Sequence, residues 1–366
     1  MDKFRYISYA QEVIFARGAL TQVGESVGRL GWRRILVCVN RSMQRAGHVD
    51  AIKSVLEESL VAVYPDVQPH VQDVQVNQAL ALAKQNNVNV VIGMGGGSPI
   101  GMAKALGHKL GLPIIGIPST YAGSEMTPFY GITRTDENPP RKVTVRDVKV
   151  IPQLVIYDPQ LTLDLPSEMT ASTGINALAH CIEALYSKTL NSISTAAAID
   201  GVRHICNSLL ICYQDGKNID ARAEMLLGAH LAGLSLASVS MGLHHGLCHV
   251  LGGSANVPHG VANAIILPHA IRFNAETTAQ QLIPAAEAMK ASETGISPKQ
   301  VVEAMAEKIY ELIQNMNLPQ RLRDVAVDES DLPHLARLAF ENGTVQNNPK
   351  PIIDVAQLED LFRDAW

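Results

Sequence analysis

The chain has 366 residues, of which 18% are charged, and 30 Lys and Arg against 35 Asp and Glu leave a formal charge of −5. At roughly 100–200 residues per domain, that length predicts two domains with room for substantial cores. There is no basic excess to displace counterions from a polyanion, which excludes nucleic acid as the expected partner.

The N-terminus, Met1-Asp2-Lys3-Phe4-Arg5-Tyr6, mixes charges and lacks an apolar run, so it does not read as a signal peptide. Apolar, β-branched runs follow at 34–39, 88–93, 113–117 and 154–157. Their continuous apolar character predicts strands covered on both faces, as in a parallel sheet. Residues 76–85 and 100–110 carry helical spacing between them, and 134–149, rich in charge and proline, reads as an exposed hairpin or loop. From about Pro166 the segments 167–188, 193–213 and 221–237 are long, rich in Ala and Leu, and without strand alternation. Ser297-Pro298 then marks a helix start ahead of Val302, Met305, Ile309, Leu312 and Met316. The expected fold is an α/β, doubly wound, Rossmann-like domain over 1–165 followed by an all-α domain over 166–366. The stretch 225–243 is long enough to raise a membrane span, but its histidine, glycines and serines fit a buried helix better. The five cysteines, Cys38, Cys181, Cys206, Cys212 and Cys248, form no Cys-x-x-Cys pair, which predicts reduced thiols and a cytoplasmic protein.

Two patterns carry chemistry. In the first, the strand at 88–93 runs into Met94-Gly95-Gly96-Gly97-Ser98-Pro99 and then a helix. Bare backbone and an exposed helix N-terminus suit a pyrophosphate, although the spacing is not Gly-x-Gly-x-x-Gly. The strand at 34–39 ends in Asn40-Arg41, where an acid would repel a 2′-phosphate, so NADPH is expected to be tolerated beside NADH. Ser119 and Thr120 open a hydroxyl-rich segment at the end of the next strand, placed to line a ligand crevice.

In the second pattern, residues 225–271 contain no Asp, Glu, Lys or Arg, yet hold six of the 12 histidines: His230, His244, His245, His249, His259 and His269. Asn176 and His180 share a helix face four residues apart, and His245 and His249 repeat that spacing, with His259 following after a turn. Such a set can converge on one metal or one substrate, and histidine is the natural proton donor near neutral pH.

Three motifs together resemble the iron-containing (group III) alcohol dehydrogenases: Gly95-Gly96-Gly97-Ser98 with Ala103-Lys104, Gly174-x-Asn176 through Ala184, and His245-Gly246 through Pro258-His259-Gly260 to His269. The resemblance implies that fold, shared with dehydroquinate synthase, and a homodimer. The family's metal ligands, one aspartate and three histidines, would fall on Asn176, His180, His245 and His259, with His249 lining the nicotinamide site. Gly96, Gly97 and Ser98 would hold the pyrophosphate, with Ser119, Thr120, Thr127, Phe129 and Lys142 lining the rest of the cofactor site. Asn176 replaces the ligand aspartate and Gly101 replaces an acid of the phosphate motif. With Tyr121 through Pro128 and Leu243-His244-His245, these departures resemble the maleylacetate reductase branch, regarded as needing no metal. That branch implies NADH or NADPH as cofactor and reduction of the carbon–carbon double bond of maleylacetate to 3-oxoadipate. His245 and His249 would be catalytic, and Asn176, His180, His259 and Tyr121 would bind a dicarboxylate. A metal-dependent alcohol or aldehyde dehydrogenase and a dehydroquinate synthase-like lyase are the alternatives.

Overall fold

In the computed structural model, which describes residues 4–135, 141–292 and 295–366, the apolar runs become the strands of a six-stranded, all-parallel sheet. Its strands are β1 (Glu12–Phe15), β2 (Ile35–Val39), β3 (Leu60–Tyr64), β4 (Val90–Gly95), β5 (Ile114–Pro118) and β8 (Leu154–Tyr157), in the order β1-β8-β5-β4-β2-β3. β6 (Phe129–Arg134) and β7 (Arg141–Arg146) form a separate antiparallel hairpin, where 134–149 was expected to be a hairpin or loop.

Every residue of β2, β4, β5 and β8 is buried, which is why these strands carry no polar alternation. On one face Val37, Ile92 and Ile115 pack with α1 (Val23–Arg29), α2 (Arg41–Arg45) and α3 (His48–Leu56). On the other, Leu36, Val91 and Ile114 pack with α4 (Asp73–Gln85) and α5 (Gly97–Leu110). Gly93 permits a close approach of α5 to the sheet: a Cβ there would stand 2.7 Å from the Ile100 Cα.

This unit comprises Ser8–Leu165 with Lys217–Leu226; the other is built on Pro166–Gly216 and Leu227–Trp366. The helices continue with α6 (Ser167–Tyr186), α7 (Ser192–Gln214), α8 (Ile219–Ser238), α9 (Leu243–Ser254), α10 (His259–Ala288), α11 (Pro298–Asn315), α12 (Leu332–Glu341), α13 (Gly343–Gln346) and α14 (Val355–Asp364). α11 starts as expected: Ser297 and Gln300 form a reciprocal capping box with Pro298 in the first turn.

Leu247, Leu251, Ile265, Leu335, Leu358 and Phe362 make a core where α9, α10, α12 and α14 meet. Two glycines fix how closely its neighbours lie. A Cβ on Gly246 of α9 would stand 2.4 Å from Val345 Cγ2 of α13, and one on Gly260 of α10 would stand 2.8 Å from Ser172 Cβ of α6. No single helix among the described residues is long and apolar enough to cross a membrane.

Candidate functional site

In the α/β unit the chain passes from β2 outward to β3 and returns to β4 on the other side of β2. This reversal places the carboxyl ends of β2 and β4 at a switch point, where open α/β sheets bind ligands. The Gly-rich turn lies there. Gly95 has φ +139°, a conformation side chains resist, and a Cβ on it would meet Pro99 Cγ at 2.9 Å. A Cβ on Gly96 would press on Thr120 Cγ2 at 3.1 Å. α5 begins at Gly97 with Gly96 as its cap and no side chain over its first-turn N–H groups. Gly95, Gly96, Gly97 and Ser98, with Ser119 and Thr120 beside them, therefore fit a nucleotide pyrophosphate.

Other expected cofactor residues are differently employed. Asn40 caps α2, its Oδ1 accepting from Met43 N–H at 3.2 Å and from Ser42 Oγ at 2.9 Å. Arg41 is paired with Asp66 at 2.6 Å. Thr127 is fully buried, and its hydroxyl bonds Lys104 Nζ and the Ser124 carbonyl, both at 3.0 Å. The Phe129 ring lies under the Arg146 guanidinium, 5.1 Å away. The Thr127 side chain thus holds the loop in place. The Lys142 side chain lies outside the described residues. Tyr121 is corrected too: it is fully buried, and its hydroxyl accepts from Arg222 Nη1 at 2.9 Å instead of facing a ligand.

Lys104 has a larger part than its place in a motif suggested. Fully buried, it donates to the carbonyls of Ser124, Thr127 (2.7 Å) and Phe129 (3.0 Å), which ties down the whole turn after β5. Burial pulls its ammonium down to about 7, and Glu125 pulls it back up.

In the helical unit, Asn176, His180 and Glu183 fall on one face of α6, a turn apart. α9 supplies His244, His245 and His249, and α10 starts at His259. The His180 and His245 rings stack at 4.6 Å, His245 and His259 lie 6.2 Å apart, and His249 stacks on His259 at 5.8 Å. The expected set is brought together, with a dry end and a wet end: Asn176, His180 and His245 are buried, whereas His249 and His259 are exposed. His269 lies ten residues farther along α10, where burial and Arg272 pull it down to about 4.

Three buried atoms at the dry end have no hydrogen-bond partner: Asn176 Oδ1, His180 Nδ1 and His245 Nε2. Each such group costs about 1–3 kcal/mol, so the cluster is built to receive polar atoms of a ligand. Burial, and then the neighbouring histidines, hold His180 and His245 well below the usual histidine range, so both are neutral at pH 7.

Absence of carboxylates from 225–271 suggested a site without anions, and here the structure corrects the expectation. Glu183 enters from α6, fully buried, with Oε2 2.6 Å from His245 Nδ1. Glu183 stands three residues past His180 in the motif around Asn176, outside the uncharged window.

The donor set is a poor one for a cation. Asn176 offers a neutral amide, and the Glu183 oxygens are occupied by the amides of His244 and His245 and the His245 ring. The His180 and His245 rings lie nearly parallel, 13° apart. Among the described residues, ligand atoms gathered within 4.8 Å belong to Glu183, His244 and His245, whose hydrogen bonds are mutual.

Residues 10–159 match the family model described as iron-containing alcohol dehydrogenase, and 170–366 match that of the Fe-containing alcohol dehydrogenase family, C-terminal. The maleylacetate reductase of Sphingobium indicum is 33% identical over 99% of this chain and 97% of its own. That of Burkholderia cepacia is 35% identical over 96% of this chain and 95% of its own. The crystal structure of maleylacetate reductase from Agrobacterium tumefaciens superposes with a TM-score of 0.90 at 32% identity, covering 100% of this chain and 99% of that one.

Proposed function

The chain belongs to the iron-containing alcohol dehydrogenase family, and from that premise we propose that it is an NAD(P)H-dependent maleylacetate reductase. The observation that carries the reading is Asn176: a neutral amide, buried and with its Oδ1 unpartnered, at the position where the family places its anionic metal ligand. A carboxylate there would repel a substrate carboxylate by about 4 kcal/mol at 4 Å and an effective dielectric of 20. The whole-chain similarity to maleylacetate reductases supports the same reading.

The turn Gly95–Ser98 would hold the pyrophosphate of the nicotinamide cofactor, which supplies a hydride to the carbon β to the substrate ketone. The rest falls to the histidines. With its Nδ1 proton given to Glu183, His245 keeps Nε2 open to receive a proton from water through the exposed His249 and His259. From Nε2 that proton passes to the enolate left by the hydride, completing the single bond, so one NAD(P)H and one proton are consumed per 3-oxoadipate formed. Asn176 and His180 hold the remaining substrate oxygens. The neutral Asn40 at the end of β2 supports use of NADPH beside NADH. The neutral amide at position 176 supports a reaction that needs no metal; a metal, if bound, would be held by His180, His245 and His259 with Asn176. The cysteines, none of them in a disulfide and most of them buried, support a cytoplasmic enzyme.

The test follows NADH and NADPH oxidation with maleylacetate, simple aldehydes and 2-keto acids, with and without a chelator. Stoichiometric oxidation with maleylacetate, unaffected by chelation, is expected. Turnover of an aldehyde but not maleylacetate, or activity lost on chelation and restored by one metal, would overturn the reading.

A further inference from the structure

We propose that Glu183 is a positioning residue: with His244, it locks His245 in the Nδ1–H tautomer, so that only Nε2 is presented to the substrate. The contacts around His245 start from one group of fixed polarity. The Asn263 carbonyl can only accept, and it lies 3.3 Å from His244 Nε2, so His244 carries its proton on Nε2. Cys248 Sγ, 3.8 Å from the same nitrogen, is a second and weaker acceptor. His244 Nδ1 is therefore bare, and it faces His245 Nδ1 at 3.2 Å. Two bare nitrogens at that distance would repel, so His245 Nδ1 bears the proton, shared between His244 and Glu183 Oε2 at 2.6 Å. His245 Nε2 is left without a proton, buried and unpartnered at the dry end of the cluster.

Glu183 is itself held so that it cannot swing away. Oε1 accepts the His244 amide N–H at 3.0 Å and Oε2 the His245 amide N–H at 3.4 Å, so the carboxylate caps the first turn of α9. The helix that carries His245 thus also fixes the group that orients its ring. Two backbone N–H groups and the His245 ring converge on this carboxyl group; burial pushes its pKa up, and His244 and the backbone N–H groups pull it back down.

This inference rests on the reductase reading for its kinetic consequence, but its structural half can be read without any substrate. The experiment compares the full-length wild type with Glu183→Gln, using histidine ring ¹⁵N NMR, with His245 assigned by substitution, alongside steady-state kinetics. A glutamine NH₂ facing His245 cannot accept, so the ring is expected to shift to the Nε2–H tautomer. kcat with maleylacetate should fall at least about tenfold, while KM and NADH affinity stay within about threefold. Glu183→Asp keeps the charge at a longer reach; it should retain the Nδ1–H tautomer, recover part of kcat, and serve in place of the glutamine variant if that fails to fold. An unchanged tautomer in Glu183→Gln, or a kcat loss matched by loss of NADH binding, overturns the proposal. If the wild type leaves maleylacetate unreduced, the reductase reading fails, and the tautomer measurement alone decides the role of Glu183.

Discussion

Restoring the acid at position 176 separates a site built for a dianion from one built for a cation. Asn176→Asp is nearly isosteric and falls on a residue that is 5% exposed, with its Oδ1 unpartnered, so the main change is charge. At 4 Å and an effective dielectric of 20, the new carboxylate opposes a substrate carboxylate by about 4 kcal/mol, equivalent to about a thousandfold in affinity. Burial raises the pKa of the introduced group and partial protonation trims the effect, so KM for maleylacetate is expected to rise between about ten- and a thousandfold. A neutral aldehyde assayed under the same conditions should change KM by less than about threefold, because it has no charge to repel. Both assays are run with chelator, so that a metal recruited by the new acid does not mask the repulsion. An unchanged KM for maleylacetate, or an equal rise for both substrates, would refute the electrostatic argument.

Two further outcomes follow from the same geometry. Gly96→Ala forces a methyl group to 3.1 Å from Thr120 Cγ2 and should weaken NADH binding about tenfold with little change in melting temperature; a fluorescence titration within about twofold of wild type would contradict the cradle. His180, His244 and His245 are held below their ordinary pKa of 6.5 by burial, and His269 is drawn down to about 4. Each is neutral in the folded chain and takes a proton more readily once unfolded, so the stability tied to it is complete above 6.5 and drains as pH falls. Urea midpoints should therefore drop between pH 7 and 5, by up to about 1.4 kcal/mol per pH unit for each such group, and a flat or rising profile would count against this.

The inner strands were readable in the sequence because burial on both faces leaves unbroken apolar runs. β1 and β3 were not, because they are edge strands: Glu12–Phe15 is mostly exposed and Leu60–Tyr64 only half-buried, so neither needs that composition. The histidine cluster was readable because helical spacing puts Asn176 under His180 and His245 under His249. Glu183 escaped for a different reason. Its function depends on α6 meeting the first turn of α9, a contact no spacing within either helix encodes. Tyr121 and Thr127 were misplaced by the converse error, since hydroxyls near a strand end can serve the protein's own Arg222 and Lys104 as well as a ligand.

The contacts at Gly246 and Gly260 act as gauges. With no side chain on the glycine, Val345 of α13 packs directly on the α9 backbone and Ser172 of α6 on that of α10. These two spacings do not depend on what stands at positions 176, 245 and 259. An acid or an amide can stand at position 176 on the same frame, so the site's electrical character can be exchanged while its architecture stays constant.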